Sequence, residues 1–282
     1  MRQIKKTIYP SLLFTPVFND KQIKKAVGLD CAAVILDLEA SVPNDRKEES
    51  RDMVVDAVKF VQEQGKSAFV RVNPRDLEDA LTVCRAGADG LMVPLVETQE
   101  DLTCFVKAAE ETGLELPPIL PIIETPKAIV NLEHILDTDV GVLGVAFAGG
   151  DFTTGMGSRA KPGEDLLFNA AWKVAVHSRA RGLNPYGTGG FIFMVSTEEE
   201  IAAFKASCEQ ARDIGMVGMP AIHPKQLSIL NDVFMPSQEE FDYARRAIKA
   251  FEEGGEHIIF VDGKVMEYPV YYKLKQFLEE YE

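Results

Sequence analysis

The sequence predicts a (β/α)8 TIM barrel over residues 1–230 with a C-terminal helical lid or tail segment over 231–282, on three observations. Eight short runs rich in aliphatic, β-branched or aromatic residues recur along the chain, segments of helical period separate them, and the runs are almost continuously apolar. Continuous apolarity marks strands covered on both faces, as parallel strands flanked by helices are. Eight such units fit a closed barrel, whereas a doubly wound sheet more often has about five or six strands and a Gly-rich first turn. No GxGxxG follows the first run.

The strands read 11–17 (SLLFTPV), 32–39 (AAVILDLE), 67–73 (SAFVRVN), 90–96 (GLMVPLV), 118–124 (PILPIIE), 142–149 (VLGVAFAG), a weaker Gly-rich one at 185–192, and 217–223 (VGMPAIH). Between them, 48–64 shows the helical rule: Met53, Val54, Ala57, Val58 and Val61 fall on one face at i, i+3, i+4 spacing. Gly28, Gly87 and Gly113 stand just before strands, where a helix C-cap followed by a return loop would place them. After residue 230 the rhythm changes. Pro236-Ser237 opens a helix over 238–251, Gly254-Gly255 breaks it, and a short strand (258–261), a turn at Asp262-Gly263 and a charged helix complete the tail.

Composition narrows the function. The net charge of −14 repels a phosphate backbone, which argues against nucleic acid. No run approaches the ~18 apolar residues of a membrane span, and MRQIKK is not followed by an apolar signal core, so a cytoplasmic protein is expected. Cys31, Cys84, Cys104 and Cys208 are scattered without a CxxC, which predicts reduced, buried thiols.

Barrel enzymes carry their chemistry at the C-terminal ends of the strands. Here those ends hold Asp37 and Glu39, Arg71 and Asn73, Glu124, and Asp151 after Gly149-Gly150. Glu124 and Asp151 end neighbouring strands about 4.8 Å apart, so two carboxylates converge where a hard cation such as Mg²⁺ would bind, with waters and substrate oxygens completing the shell. The competing reading makes each a cap of the following helix. Gly149, Gly150, Asp151 and Phe152 open a Gly-rich segment (GGDFTTGMG) whose N–H groups suit a substrate carboxylate, although such turns also occur without ligands. Arg71 is placed to hold a carboxylate or a developing oxyanion; an ion pair with Asp37 or Glu39 is the alternative, and the two are compatible. Asp37 and Glu39 share a face by strand period and are candidates to hold metal-bound water or Arg71. His223 reads as structural, and the chain has no nucleophile elbow, Walker loop or HExxH.

VILDLEASVP, FVRVNP, PIIETPKAIVN, GGDFTTGMG and AIHPKQL resemble, in order and spacing, the HpcH/HpaI aldolase and citrate lyase family, nearest its citrate lyase β-subunit-like branch. The resemblance implies a Mg²⁺-dependent barrel that cleaves or forms C–C bonds in citryl-, malyl- or citramalyl-type thioesters of CoA or an acyl carrier protein. It also implies a homo-oligomer, trimer or hexamer, whose C-terminal segment lids a neighbouring subunit. It makes Glu124 and Asp151 the Mg²⁺ ligands, Arg71 the substrate-contacting arginine, and Asp37 and Glu39 the acidic pair near metal-bound water. Glu267 occupies the acidic position of the lid motif, usually Asp, and so becomes the candidate for proton transfer. The chain departs from the family pattern at Ala40, at Tyr9-Pro10, and at the GTGG stretch of 187–190, which lacks an acid. Two further readings stay open: a class II pyruvate or oxaloacetate aldolase or decarboxylase acting on a free acid, and a catalytically weakened binding or assembly subunit.

Overall fold

The computed structural model describes residues 7–159, 165–187, 195–254 and 258–281. These form two compact units, one over 9–234 and a second over 235–281 that also takes in 7–8. In the first, strands and helices alternate: β1 (Ser11–Pro16), α1 (Asp20–Val27), β2 (Ala33–Asp37), α2 (Lys47–Glu63), β3 (Ser67–Arg71), α3 (Leu77–Ala86), β4 (Gly90–Val93) and α4 (Glu100–Thr112). They continue as β5 (Ile119–Ile123), α5 (Pro126–Leu136), β6 (Gly144–Phe147), α6 (Gly149–Gly155), α7 (Asp165–Ala180), β7 (Asn184–Tyr186), α8 (Glu198–Asp213), β8 (Met219–Ala221) and α9 (Leu227–Phe234).

All eight strands are parallel, in the order β7-β6-β5-β4-β3-β2-β1-β8. The ring closes at its seam through two backbone bonds, from Val217 N–H to the Pro185 carbonyl and from Gly187 N–H to the Gly218 carbonyl, each 2.9 Å. Alternation along the strands then sorts side chains into two layers. Val34, Leu36, Ala68, Val70, Leu91 and Val93 join a core with the helix residues Val54, Val58, Val83, Leu102 and Phe105. Ile35, Phe69, Met92, Leu120 and Ile122, on the other parity, are equally buried and fill the lumen. Space in the lumen is shared between neighbours. A Cβ on Gly90 would lie 2.2 Å from the Phe69 ring, and one on Gly144 2.7 Å from that of Tyr186, so both aromatic rings occupy room that glycine leaves free.

The helical face expected on α2 is the buried one, with Val54, Ala57, Val58 and Val61 inward. All three glycines are helix C-caps, Gly87 and Gly113 with left-handed φ of 69° and 67°, and Gly28 with φ −83° in a right-handed turn at the end of α1. GGDFTTGMG is not the open loop it resembles, because Gly149–Gly155 winds into α6 immediately after β6. The seventh strand is Asn184–Tyr186, and residues 188–192 of the expected run, with the 188–190 part of GTGG, lie outside the described residues. Of the cysteines, Cys31 and Cys208 are buried as expected, whereas Cys84 and Cys104 are half-buried.

In the second unit, α10 (Gln238–Glu253) starts at a capping box between Ser237 and Glu240. The Asp262-Gly263 turn, with φ of 50° and 75°, joins β9 (Ile259–Val261) to an antiparallel partner β10 (Lys264–Met266) that the sequence pattern did not reveal. Two consecutive positive φ angles give the twist a tight hairpin needs, and Asp-Gly accepts them cheaply. Phe251, Met266 and Tyr271, the last from α11 (Tyr268–Tyr281), form this unit's own core with Ala247. No helix among the described residues is long and apolar enough to cross a membrane.

Candidate active site

Strand parity brings three charged groups to the C-terminal mouth of the lumen. Asp37 follows Ile35 in phase, Arg71 follows Phe69, and Glu124 follows Ile122. Asp37 and Arg71 are register partners on adjacent strands. The guanidinium grips the carboxylate along one edge, with Nε 2.7 Å from Oδ1 and Nη2 2.8 Å from Oδ2. Asp37 also accepts the N–H groups of Glu39 at 3.0 Å and Ser41 at 2.9 Å, so four donors surround it. Burial alone would raise its pKa; the bonds and charge of Arg71, with those N–H groups, prevail and hold it below the usual carboxylate range. Glu39 stands 3.1 Å from Arg71 Nη1, and the face of Phe14 lies 4.5 Å from the guanidinium carbon. Both readings of Arg71 therefore hold together: it is ion-paired, and its remaining Nη hydrogens can still meet a ligand. Asp37 is saturated, which makes it the anchor of Arg71 and not a holder of metal-bound water. Ala40, on the turn beyond, is exposed.

Glu124 is in a different electrostatic situation. It is only 4 % exposed, and Oε1 accepts a 2.6 Å hydrogen bond from Leu95 N–H in the loop after β4. Burial pushes its pKa up to about 7; the charge of Asp151 and a hydrogen bond with it add to the rise, against the Leu95 N–H and the charge of Arg71. Glu124 thus lies within electrostatic reach of two groups, Asp151 in the first turn of α6 and Arg71 at the end of β3. The helix-cap alternatives fail for both acids. Thr125 caps α5, its hydroxyl accepting Ala128 N–H at 3.1 Å, while α6 has Ala148 at its N-cap and Asp151 in its first turn, exposed.

The donor set fits a hard divalent cation. Two carboxylates pressed together repel, and a cation between them turns that repulsion into attraction; all-oxygen donors suit Mg²⁺, which is commonly held by one or two carboxylates. No cluster of three or more His, Cys, Asp or Glu suited to a metal occurs among the described residues, so the protein's share would be those two. The first-turn N–H groups of Gly149 and Gly150 lack i−4 carbonyl partners by helix geometry and lie beside Asp151. Phe152 requires a correction. Its side chain is 3 % exposed and packs edge-on against Phe147 with ring centres 5.6 Å apart, so it is core and its ring contacts no substrate.

A belt of polar contacts ties successive mouth loops together, and the sequence reading missed it. Asn73 donates to the Leu38 carbonyl at 3.0 Å and to Asp79 at 2.6 Å, while Lys47 bonds Asn73. Arg75 pairs with Asp101, and Thr125 donates to Glu97 at 2.8 Å. Phe14 was legible by parity with Leu12; Leu95 carried no signal. His223 serves as a cap, its Nδ1 accepting Lys225 N–H at 3.2 Å. Glu267, in the second unit, is exposed between β10 and α11, where its carbonyl accepts Tyr271 N–H at 2.8 Å.

A family model described as HpcH/HpaI aldolase/citrate lyase matches residues 10–224. A (3S)-malyl-CoA thioesterase from Cereibacter sphaeroides is 30 % identical, over 92 % of this chain and 90 % of the relative. Citrate lyase subunit beta from Escherichia coli is 27 % identical over 96 % and 92 %. The fold matches that of the protein CitE from Mycobacterium tuberculosis in complex with magnesium, acetoacetate and coenzyme A (TM-score 0.74, 19 % identity, 98 % of each chain). It also matches a citrate lyase from Burkholderia xenovorans (TM-score 0.80, 18 % identity, 95 % and 90 %).

Proposed function

The chain belongs to the HpcH/HpaI aldolase/citrate lyase family, and on that premise we propose that it is a Mg²⁺-dependent carbon–carbon lyase. Its substrate class is a 3-hydroxy-carboxyacyl thioester of the citryl, malyl or citramalyl type, cleaved to an α-keto acid and an acyl thioester or formed from them. The observation that carries the reading is the buried Glu124 carboxyl at the barrel mouth, under the influence of a second acid, Asp151, and of Arg71.

Glu124 and Asp151 would hold Mg²⁺, which when bound polarises the oxygens of the substrate's α-hydroxy acid or α-keto acid end. Arg71, held rigid by Asp37 and Phe14, offers its free Nη hydrogens to charge that develops on oxygen, a form of stabilisation strongest in the transition state. The N–H groups of Gly149 and Gly150 face the substrate carboxylate. In cleavage the hydroxyl loses its proton, the C–C bond breaks with its electron pair passing to the thioester enolate, and that enolate takes up a proton. Glu267, at the acidic position of the tail motif that runs from Gly263 to Pro269, is the group we assign to proton transfer. A homo-oligomer, trimer or hexamer, and a cytoplasmic location go with this reading. CoA and acyl-carrier-protein thioesters share the acyl end that the site reads.

A second reading has its own support: the 30 %-identical relative is named a thioesterase, so attack of water on the thioester carbonyl is a competing fate for the same substrate. Product analysis of malyl-CoA and citramalyl-CoA with Mg²⁺ separates the two. The lyase yields acetyl-CoA with glyoxylate or pyruvate, whereas hydrolysis yields free CoA and the intact hydroxy acid. If neither thioester is consumed and free keto acids are, the thioester assignment falls.

A further inference from the structure

Among the described residues, three that are not glycine have φ in the left-handed region: Arg75 at 57°, Leu95 at 52° and Asp262 at 50°. Asp262 is in an Asp-Gly hairpin turn, where that angle is ordinary. Leucine is not at home there, because its Cβ crowds the following carbonyl, and glycine or asparagine takes the conformation with less strain. What holds Leu95 in place is the 2.6 Å bond from its N–H to Glu124 Oε1. That bond accounts for the backbone but not for leucine, since every residue except proline supplies an N–H. Burial does not account for it either. Leu95 is 43 % exposed, while Val93 and Val96 on either side are 1 % and 0 % exposed and serve the core.

A strained, apolar and solvent-exposed side chain therefore stands beside the carboxylate assigned to the cation. Its Cβ is two bonds from the nitrogen that touches that carboxylate, so the side chain branches next to Glu124. Apolar contact discriminates among small substituents where a polar or charged one cannot be solvated.

We propose that Leu95 is a specificity-determining residue whose isobutyl group meets the carbon substituent of the α-keto acid portion and favours an alkyl group over hydrogen or a charged arm. This rests on the reading of the mouth as a Mg²⁺-dependent keto-acid site and narrows it to citramalyl-type thioesters, whose cleavage releases pyruvate, over malyl and citryl types.

The test is calorimetric titration of the full-length chain, first with MgCl₂ alone and then, in excess Mg²⁺, with glyoxylate, pyruvate, 2-oxobutyrate and oxaloacetate. Wild type is expected to bind pyruvate and 2-oxobutyrate about tenfold more tightly than glyoxylate or oxaloacetate. Leu95→Gly is expected to bind Mg²⁺ with affinity within about threefold of wild type and to bring the four acids within about threefold of one another. Its melting temperature should rise by about 2 to 4 °C as the left-handed strain is relieved. Leu95→Asn, which also accepts this φ, should show the same loss of preference and provides a second folded variant. Wild-type ratios surviving in both variants, or equal binding of the four acids by wild type, with Mg²⁺ bound in each case, would overturn the role of Leu95. Failure of wild type to bind Mg²⁺ at all would overturn the underlying reading of the mouth.

Discussion

The ends of β2 and β5 each carry a buried carboxylate on the lumen side of the same barrel, and the two have opposite electrostatic fates. Asp37 is ringed by four donors and held below the usual carboxylate range, whereas Glu124 has one backbone donor, faces a second acid, and is pushed up to about 7. The contrast separates a carboxylate whose hydrogen-bonding capacity is spent inside the fold from one that the fold leaves with a single backbone donor. The first builds the wall that positions Arg71, and the second is the one we propose as a cation ligand.

The strongest way to break that comparison is Glu124→Gln. The amide keeps the shape and loses the charge, so Mg²⁺ binding and thioester cleavage should fall together, turnover by about 10³-fold or more, while the fold is retained. Steady-state kinetics with a Mg²⁺ titration measures this, and unchanged turnover would remove Glu124 from the site.

The mirror substitution, Asp37→Asn, should act chiefly on stability. It leaves a largely buried guanidinium with Glu39 as its remaining anionic partner, a change of a kind that costs about 3 kcal/mol, to be read from the midpoint of denaturant unfolding. Mg²⁺ affinity should change far less than in Glu124→Gln.

The pH dependence sharpens the contrast further. A carboxyl raised to about 7 in the folded chain and near its ordinary 4.5 when unfolded stabilises the fold fully below the unfolded value. Without divalent cation, that contribution is lost as the pH rises from about 4.5 through about 7, up to roughly 3 kcal/mol, with Asp37 acting in the opposite sense at lower pH. Melting temperatures in chelator should therefore decline across this window, added Mg²⁺ should restore them above pH 7, and Glu124→Gln should flatten the profile. Mg²⁺ binding near neutrality should also release protons, measurable by calorimetry in buffers of different ionisation enthalpy.

Much of this was legible in the chain. The strand runs, the helical face of α2, the Gly87 and Gly113 caps and the tail's Asp-Gly turn all follow from local periodicity and residue chemistry, because each concerns neighbours within a few positions. Even the site's outline follows from counting in twos: Asp37, Arg71 and Glu124 share the parity of lumen residues and so must reach the mouth. The tail strand β10 was lost because KVM is too short for its alternation to be recognised. The glycines of α6 read as a turn in the sequence, although packing over the start of α5, where a Cβ on Gly155 would lie 2.8 Å from Pro126, needs a residue that small.

Sequence by itself determined which residues face which way, because that depends only on the repeat of strand and helix. Tertiary structure alone decided which polar atom meets which. The partners of Arg71 and Glu124 lie 34 and 29 residues away, brought within 3 Å by barrel register, and the left-handed turn at Leu95 aims its N–H at a carboxylate from the neighbouring strand. Periodicity encodes faces; only closure of the ring selects contacts between distant strand ends, and the chemistry proposed for this protein depends on those contacts.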